Sequence, residues 1–399
     1  MSLTNHALPE TPARPVRRTS RRASRTRLDA FPRDPFVRWA LRLALAVPYL
    51  LIAWIGNATT AAQSLNTPNQ QLLDHIATIP WDRADPDWIS QISPPISTLL
   101  ATIIPGGRAG LAVAGALVAG IFLQKLIEIM VQRRFPRPTT VILTLAVGAN
   151  PLFAYTAVEN FAAFMGLALF GIAASDVVRF VAWRNTRSGF RAGMLLMLAT
   201  LTDLSGIVYV ITAALATPFV RLARSDQKGA RWANVLVIVY PTVAAVGAIL
   251  ALNWIFTGTV LNPLSRGILV GTSNRFAHLG DVLLSFNGLL LVAPVVSAWL
   301  IALIVRRRAA IVVSTLVFIA VLGSYVLGLI PSGSAGNTFI LMTVMIIALI
   351  PTAKEKLPAA LVDIVAGLQI VIAWVTAFNR EIVISWMHTL TQVFGGIGS

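Results

Sequence analysis

Between residues 38 and 378 the chain is a succession of apolar runs, each close to the length that crosses a bilayer. A helix needs roughly 20 apolar residues to traverse the hydrocarbon core. Inside lipid every backbone N–H and C=O must find a partner within the protein, which a helix supplies from its own chain. Only 12% of the residues are charged and 56% are hydrophobic, against about 25% charged in an average soluble domain. The pattern predicts an all-α, multi-pass transmembrane bundle. Candidate spans are 38–56, 108–130, 139–157, 160–182, 233–256, 287–305, 309–329, 338–353 and 357–378.

One further apolar stretch, 192–220, is too short for two ordinary spans. Its path as helix is about 43 Å at about 1.5 Å per residue, where two crossings need about 60 Å. It is predicted to be a pair of short helices meeting at depth, with the turn near "LTDLSG" (201–206). Irregular backbone below the membrane surface requires surrounding protein or a water-filled cavity. That places Asp203 against a partner or in a cavity, and brings the expected count to about eleven membrane helices.

Charge orients the bundle. Residues 1–42 hold ten arginines against Glu10, Asp29 and Asp34, in a stretch too poor in apolar residues to fold alone. Such a tail before a first span favours the cytoplasm and anionic lipid; nucleic acid is not expected as a partner. Further basic clusters stand at 132–138, 184–191, 221–231, 306–308 and 354–356. An even number of predicted crossings separates each consecutive pair, as required if all face the cytoplasm. The N-terminus is then expected inside a cell membrane and the C-terminus outside. The chain has no cysteine, and its four histidines (His6, His75, His278, His388) are scattered, so no thiolate or His-x-x-x-His metal site is expected.

The segment "TPNQQLLDHIATIPWDRADPDWISQISPPISTLL" (67–100) is polar and follows the first span. It carries Asp74, Asp82, Asp85 and Asp87, and its double proline stops any helix before Pro94. With the 257–286 loop and the C-terminal stretch around Trp386 it falls on the outer side. Trp81, Trp88 and Trp386 suit amphipathic segments lying in the interface. "NPLFAYTAVENFAAFMGLALFG" (150–171) places Glu159 at the outer tip of a hairpin.

The order of these segments resembles the GT-C membrane glycosyltransferases, which take a sugar from a polyprenyl-phosphate carrier. "SPPIST" (93–98) is similar to that family's Pro-Pro-Leu-like turn after a long acidic outer loop. Residues 150–171 resemble its third and fourth membrane helices, with Glu159 at an often acidic place. "AGMLLMLATLTDLSGIVYVITAAL" (192–215) looks like its short helix pair, and "LNWIFTGTVLNP" (252–263) and "NGLLLVAPV" (287–295) look like its later span ends. The resemblance covers 38–305, with an outer loop at 57–107. Around it lie a basic tail (1–37), extra C-terminal spans (306–378) and an outer amphipathic tail (379–399).

The resemblance implies sugar transfer to an acceptor outside the membrane, with a divalent metal possible. The family's catalytic Asp or Glu would fall near Asn69-Gln70, whose amides can hydrogen-bond a hydroxyl but cannot take its proton. Either Asp74, Asp82, Asp85 or Asp87 then acts as the base, or the protein does not catalyse this transfer; Asp74, one helical turn past Gln70, is the nearest substitute. Asp74 and Glu159 are therefore the candidate catalytic residues, and Asn69, Gln70, Asp203, Arg266, Arg275 and His278 the candidate substrate contacts. Arg266 and Arg275 suit a lipid phosphate.

Plainer readings stand beside these. Asp203 and Glu159 could cap helices, and Asp82, Asp85 and Asp87 suit a solvated turn. Glu128 with Lys125, and Asp176 with Arg179, read as local ion pairs. Asp363 lies about two turns from Lys356, close enough to the membrane surface for pairing or snorkelling. The competing function is a catalytically silent relative that binds a lipid-linked glycan or scaffolds a partner enzyme. A transporter is disfavoured by the lack of an inverted repeat.

Overall fold

The computed structural model describes residues 30–58, 66–81, 91–183, 185–219, 230–258, 271–304, 306, 308–330, 342–344, 356–377 and 381–395. Among them every regular element is helical. In chain order these are α1 (Pro35–Ala58), α2 (Pro68–Ala77), α3 (Pro95–Ile103), α4 (Gly107–Gln132), α5 (Arg137–Gly148), α6 (Pro151–Glu159), α7 (Phe161–Trp183), α8 (Thr186–Thr202) and α9 (Gly206–Ala216). Then follow α10 (Ala230–Thr257), α11 (Thr272–Ala277), α12 (Leu279–Leu284), α13 (Phe286–Ile304), α14 (Arg308–Val326), α15 (Lys356–Ala377) and α16 (Glu381–Gly395).

Six helices, α1, α4, α7, α10, α14 and α15, are long and apolar enough to cross a membrane, and α5 with α6 makes a seventh if the bent pair is one span. The expected eleven are not reached among the described residues. The candidate at 139–157 is broken, with a bend of 56° between its halves. The break has a local cause: the Asn150 side chain accepts from Leu152 N at 2.9 Å, and Pro151 takes the first helical position. That is a helix start inside an apolar run. The freed end of α5 is satisfied by Tyr49 of α1, whose hydroxyl donates to Gly148 O at 2.7 Å. The candidate at 338–353 lies outside the described residues except for 342–344.

The turn of the short helix pair falls within the expected 201–206, although its first helix begins at Thr186 rather than at 192. α8 ends at Thr202, Asp203 caps it, and α9 begins at Gly206. A Cβ on Gly206 would strike the Ala199 carbonyl and the Thr200 backbone, so the turn depends on glycine's missing side chain.

α7 is the central span, 78% buried across its apolar window, whereas α10 is 17% buried. All nine residues of α6 are buried. Tyr49, Phe122, Phe153 and Phe164 fill the space between α1, α4, α6 and α7 with ring centroids 5.1–6.5 Å apart. α4 approaches α6 so closely that a Cβ on Gly115 would collide with the Ala157 carbonyl, the small-residue contact by which membrane helices pack.

One end of the bundle is fastened by charge. Glu128 is fully buried and accepts from Lys125 Nζ at 3.1 Å, Gln124 Nε2 at 3.1 Å and Arg179 of α7. Gln124 accepts from Arg42 Nε of α1 at 3.1 Å. Asp176 holds Arg191 of α8 as well as Arg179. The expected local pairs are present, but each carboxylate also bridges helices, and together they tie α1, α4, α7 and α8. Asp363 of α15 accepts from Thr139 Oγ1 of α5 at 3.1 Å.

Candidate functional site at the loop end

The opposite end carries α2, α3 and the break between α6 and α7. Pro68 and Pro95 open α2 and α3, each at the first helical position. α2 is fixed by Asn69, which is 1% exposed. Its Nδ2 donates to Val158 O at 2.8 Å, and its Oδ1 accepts from Phe161 N at 2.8 Å. The two partners flank the α6–α7 break, so one side chain satisfies a carbonyl from the end of α6 and an N–H from the start of α7. An amide can do both; a carboxylate accepts only. The amide in a place where the resemblance implies acid thus has a structural use of its own.

Gln70 and Asp74 stand on the outer side of α2. Gln70 Nε2 donates to Asp74 Oδ1 at 2.8 Å, and Asp74 is exposed. His75, the next residue, has Nε2 3.0 Å from Gln91 O.

Glu159, the last residue of α6, has no exposed surface. The Arg108 guanidinium grips it in a bidentate fork, with Nε to Oε2 at 3.2 Å and Nη2 to Oε1 at 3.1 Å. Arg108 lies in the first turn of α4 and is itself buried. Sequence reasoning passed over it. At the head of an apolar run it looks like a rim residue, and its partner is 51 positions away.

The remaining candidates are placed elsewhere. Asp203 is buried in the α8–α9 turn, where Oδ2 accepts from Ser205 N at 3.1 Å and from the Ser205 hydroxyl. Its Cβ faces α7 at Gly166. Arg275 of α11 donates from Nε to Val326 O, at the end of α14, at 2.9 Å. His278 Nδ1 lies 3.3 Å from Asp281 Oδ2 on the exposed face of the α11–α12 pair. Arg266, Asp82, Asp85 and Asp87 lie outside the described residues. Asn69 and Glu159 therefore meet at the α6–α7 break and Gln70 and Asp74 sit one turn from it. Asp203, Arg275 and His278 occupy two other places. Among the described residues no three His, Asp or Glu side chains gather as a metal would require.

Six span-length apolar helices, the buried α7 central among them, give a membrane protein of the multi-pass, all-helical class. No protein-family model, curated protein or solved structure matches the chain.

Proposed function

We propose that the protein is a membrane glycosyltransferase of the GT-C kind, moving a sugar from a polyprenyl-phosphate carrier to an acceptor hydroxyl outside the cell membrane. The basic end faces the cytoplasm and anionic lipid, and the loop end faces out. One observation carries the reading: Asp74 is an exposed carboxylate on a helix that Asn69 clamps to the α6–α7 break, with Gln70 orienting one of its oxygens. Among the described candidate carboxylates, Glu159 is held by Arg108 and Asp203 by its own turn, and Asp74 is the exposed one; Asp82, Asp85 and Asp87 lie outside the described residues.

In this reaction the Asp74 carboxylate takes the proton of the acceptor hydroxyl. The acceptor oxygen forms the new bond to the anomeric carbon, the bond from that carbon to the phosphate oxygen breaks, and polyprenyl phosphate departs. A positioned base contributes about 10²–10⁴-fold. Asp74→Asn in lipid nanodiscs, given labelled polyprenyl-phosphate sugars and an envelope acceptor fraction, is expected to lose transfer by about that factor while keeping its melting temperature. Unchanged turnover removes Asp74 from the mechanism.

A second reading is favoured by the neutralised Glu159–Arg108 pair and by the backbone duty of Asn69. In it the protein binds a lipid-linked glycan without consuming it. Donor retained on wild-type protein with no label reaching any acceptor selects this reading.

A further inference from the structure

Two buried polar side chains beside Glu159 are left without a hydrogen-bond partner. They are the Tyr155 hydroxyl and the Trp386 indole N–H. Tyr155 is 4% exposed and Trp386 2%. Their rings meet edge to face, with centroids 5.4 Å apart at 78°. Tyr155 is one helical turn before Glu159 on α6, while Trp386 arrives from α16, at the other end of the sequence. α16 packs against the end of α1, where Gly56 faces Trp386 and Leu390. The point at which a Gly56 Cβ would stand is 3.8 Å from Glu159 Oε1 and 3.9 Å from Trp386 Nε1. Four elements, α1, α4, α6 and α16, thus converge on one buried polar spot.

A buried donor without a partner is costly, and in a well-packed protein it marks a place where something else accepts the bond. The chemistry around the spot selects what that is. Glu159 has about four lone-pair sites, and Arg108 takes only part of them. The ion pair is neutral overall, and the two orphaned donors carry no charge. A phosphate dianion would face the Glu159 carboxylate, whereas a hydroxyl can donate to Glu159 and accept from Trp386 or Tyr155 together. A sugar ring presents several such hydroxyls on neighbouring carbons, each able to donate and accept.

We propose that Tyr155, Trp386 and Glu159 form a binding site for sugar hydroxyls, closed on one side by the C-terminal helix α16. The inference deepens the transferase reading and takes its sugar-bearing ligand from it, but the site is defined by binding, not by turnover. Gly56 makes it testable. The nearest contacts of an added Cβ there are 3.5–3.9 Å, ordinary van der Waals distances. Alanine therefore fits the protein, and its methyl stands between Glu159 and Trp386.

The experiment measures binding to wild-type protein in nanodiscs and to Gly56→Ala, Tyr155→Phe, Trp386→Phe and Asp74→Asn. The probes are octyl glycosides of glucose, galactose, mannose, ribose and arabinose, with sugar-free polyprenyl phosphate as the phosphate-only control. At least one glycoside is expected to bind. Its affinity should fall about tenfold in each of the first three variants, in keeping with the loss of one or two hydrogen bonds, with melting temperatures unchanged. Asp74→Asn should bind normally, so loss of transfer and loss of this site are read separately. The proposal is overturned if no glycoside binds, if the three variants bind as wild type does, or if they weaken sugar-free polyprenyl phosphate equally.

Discussion

At the scale of single residues, the loop end is organised by partners far apart in sequence. Asn69 was legible as an anomaly, an amide where acid is implied, but its partners Val158 and Phe161 are 89 and 92 positions away. Nothing local announces that one side chain must both donate and accept. Glu159 was visible because a lone carboxylate in an apolar hairpin stands out; Arg108 was not, because arginine at a helix end is ordinary. The C-terminal segment was legible as amphipathic, but that its Trp386 packs against Tyr155 was not. The structure makes Asn69 testable. Asn69→Asp deletes the donor to Val158 O and puts a charge beside that carbonyl. It should cost roughly 1–3 kcal/mol or more, read as a lower melting temperature in nanodiscs or earlier unfolding in denaturant. A variant as stable as wild type would show that the amide does not clamp α2.

At the scale of elements, the α8–α9 pair was legible because its constraint is purely metric: two crossings do not fit in the length available. The α5–α6 break was harder. "NP" at 150–151 is a good helix start, but inside a long apolar run hydropathy outweighs it, and the segment reads as one span. The open ends at the break meet protein: Tyr49 at one helix end and Asn150 at the next. The α8–α9 turn depends instead on the backbone contact at Gly206. Gly206→Ala forces the Cβ into the Ala199 carbonyl, and overpacking of this kind costs about 1–3 kcal/mol. Thermal unfolding should show the loss, and Gly56→Ala, where the added methyl has room, should not. Equal stability of the two variants would mean that the turn relaxes freely.

For the molecule as a whole, the basic clusters were legible along the chain, and the closure of α16 on α1 and α6 was not. Basic clusters separated by even numbers of crossings predicted a single basic end. Phe31, Arg42, Gln124, Glu128 and Arg179 are joined by hydrogen bonds, and Asp176 joins Arg179 to Arg191, so parts of the N-terminal and 184–191 clusters meet at one end. That α16 returns to close on α1 and α6 depends on the packing of a whole bundle, which no window of sequence contains. Orientation follows from the positive-inside tendency, and the lack of native cysteine makes it direct to test. Thr78 after α2, Asn274 on α11, Arg187 in the first turn of α8 and Arg308 at the start of α14 are all exposed. Single cysteines at Thr78 and Asn274 should react with a membrane-impermeant maleimide in intact cells, and those at Arg187 and Arg308 only after permeabilisation. The reverse pattern would turn the bundle over, carry Asp74 and the Tyr155–Trp386 site into the cytoplasm, and remove transfer to an outer acceptor. Thr78 and Asn274 reacting from opposite sides would mean an odd number of crossings between α2 and α11, so the α8–α9 pair would not return the chain to the basic end.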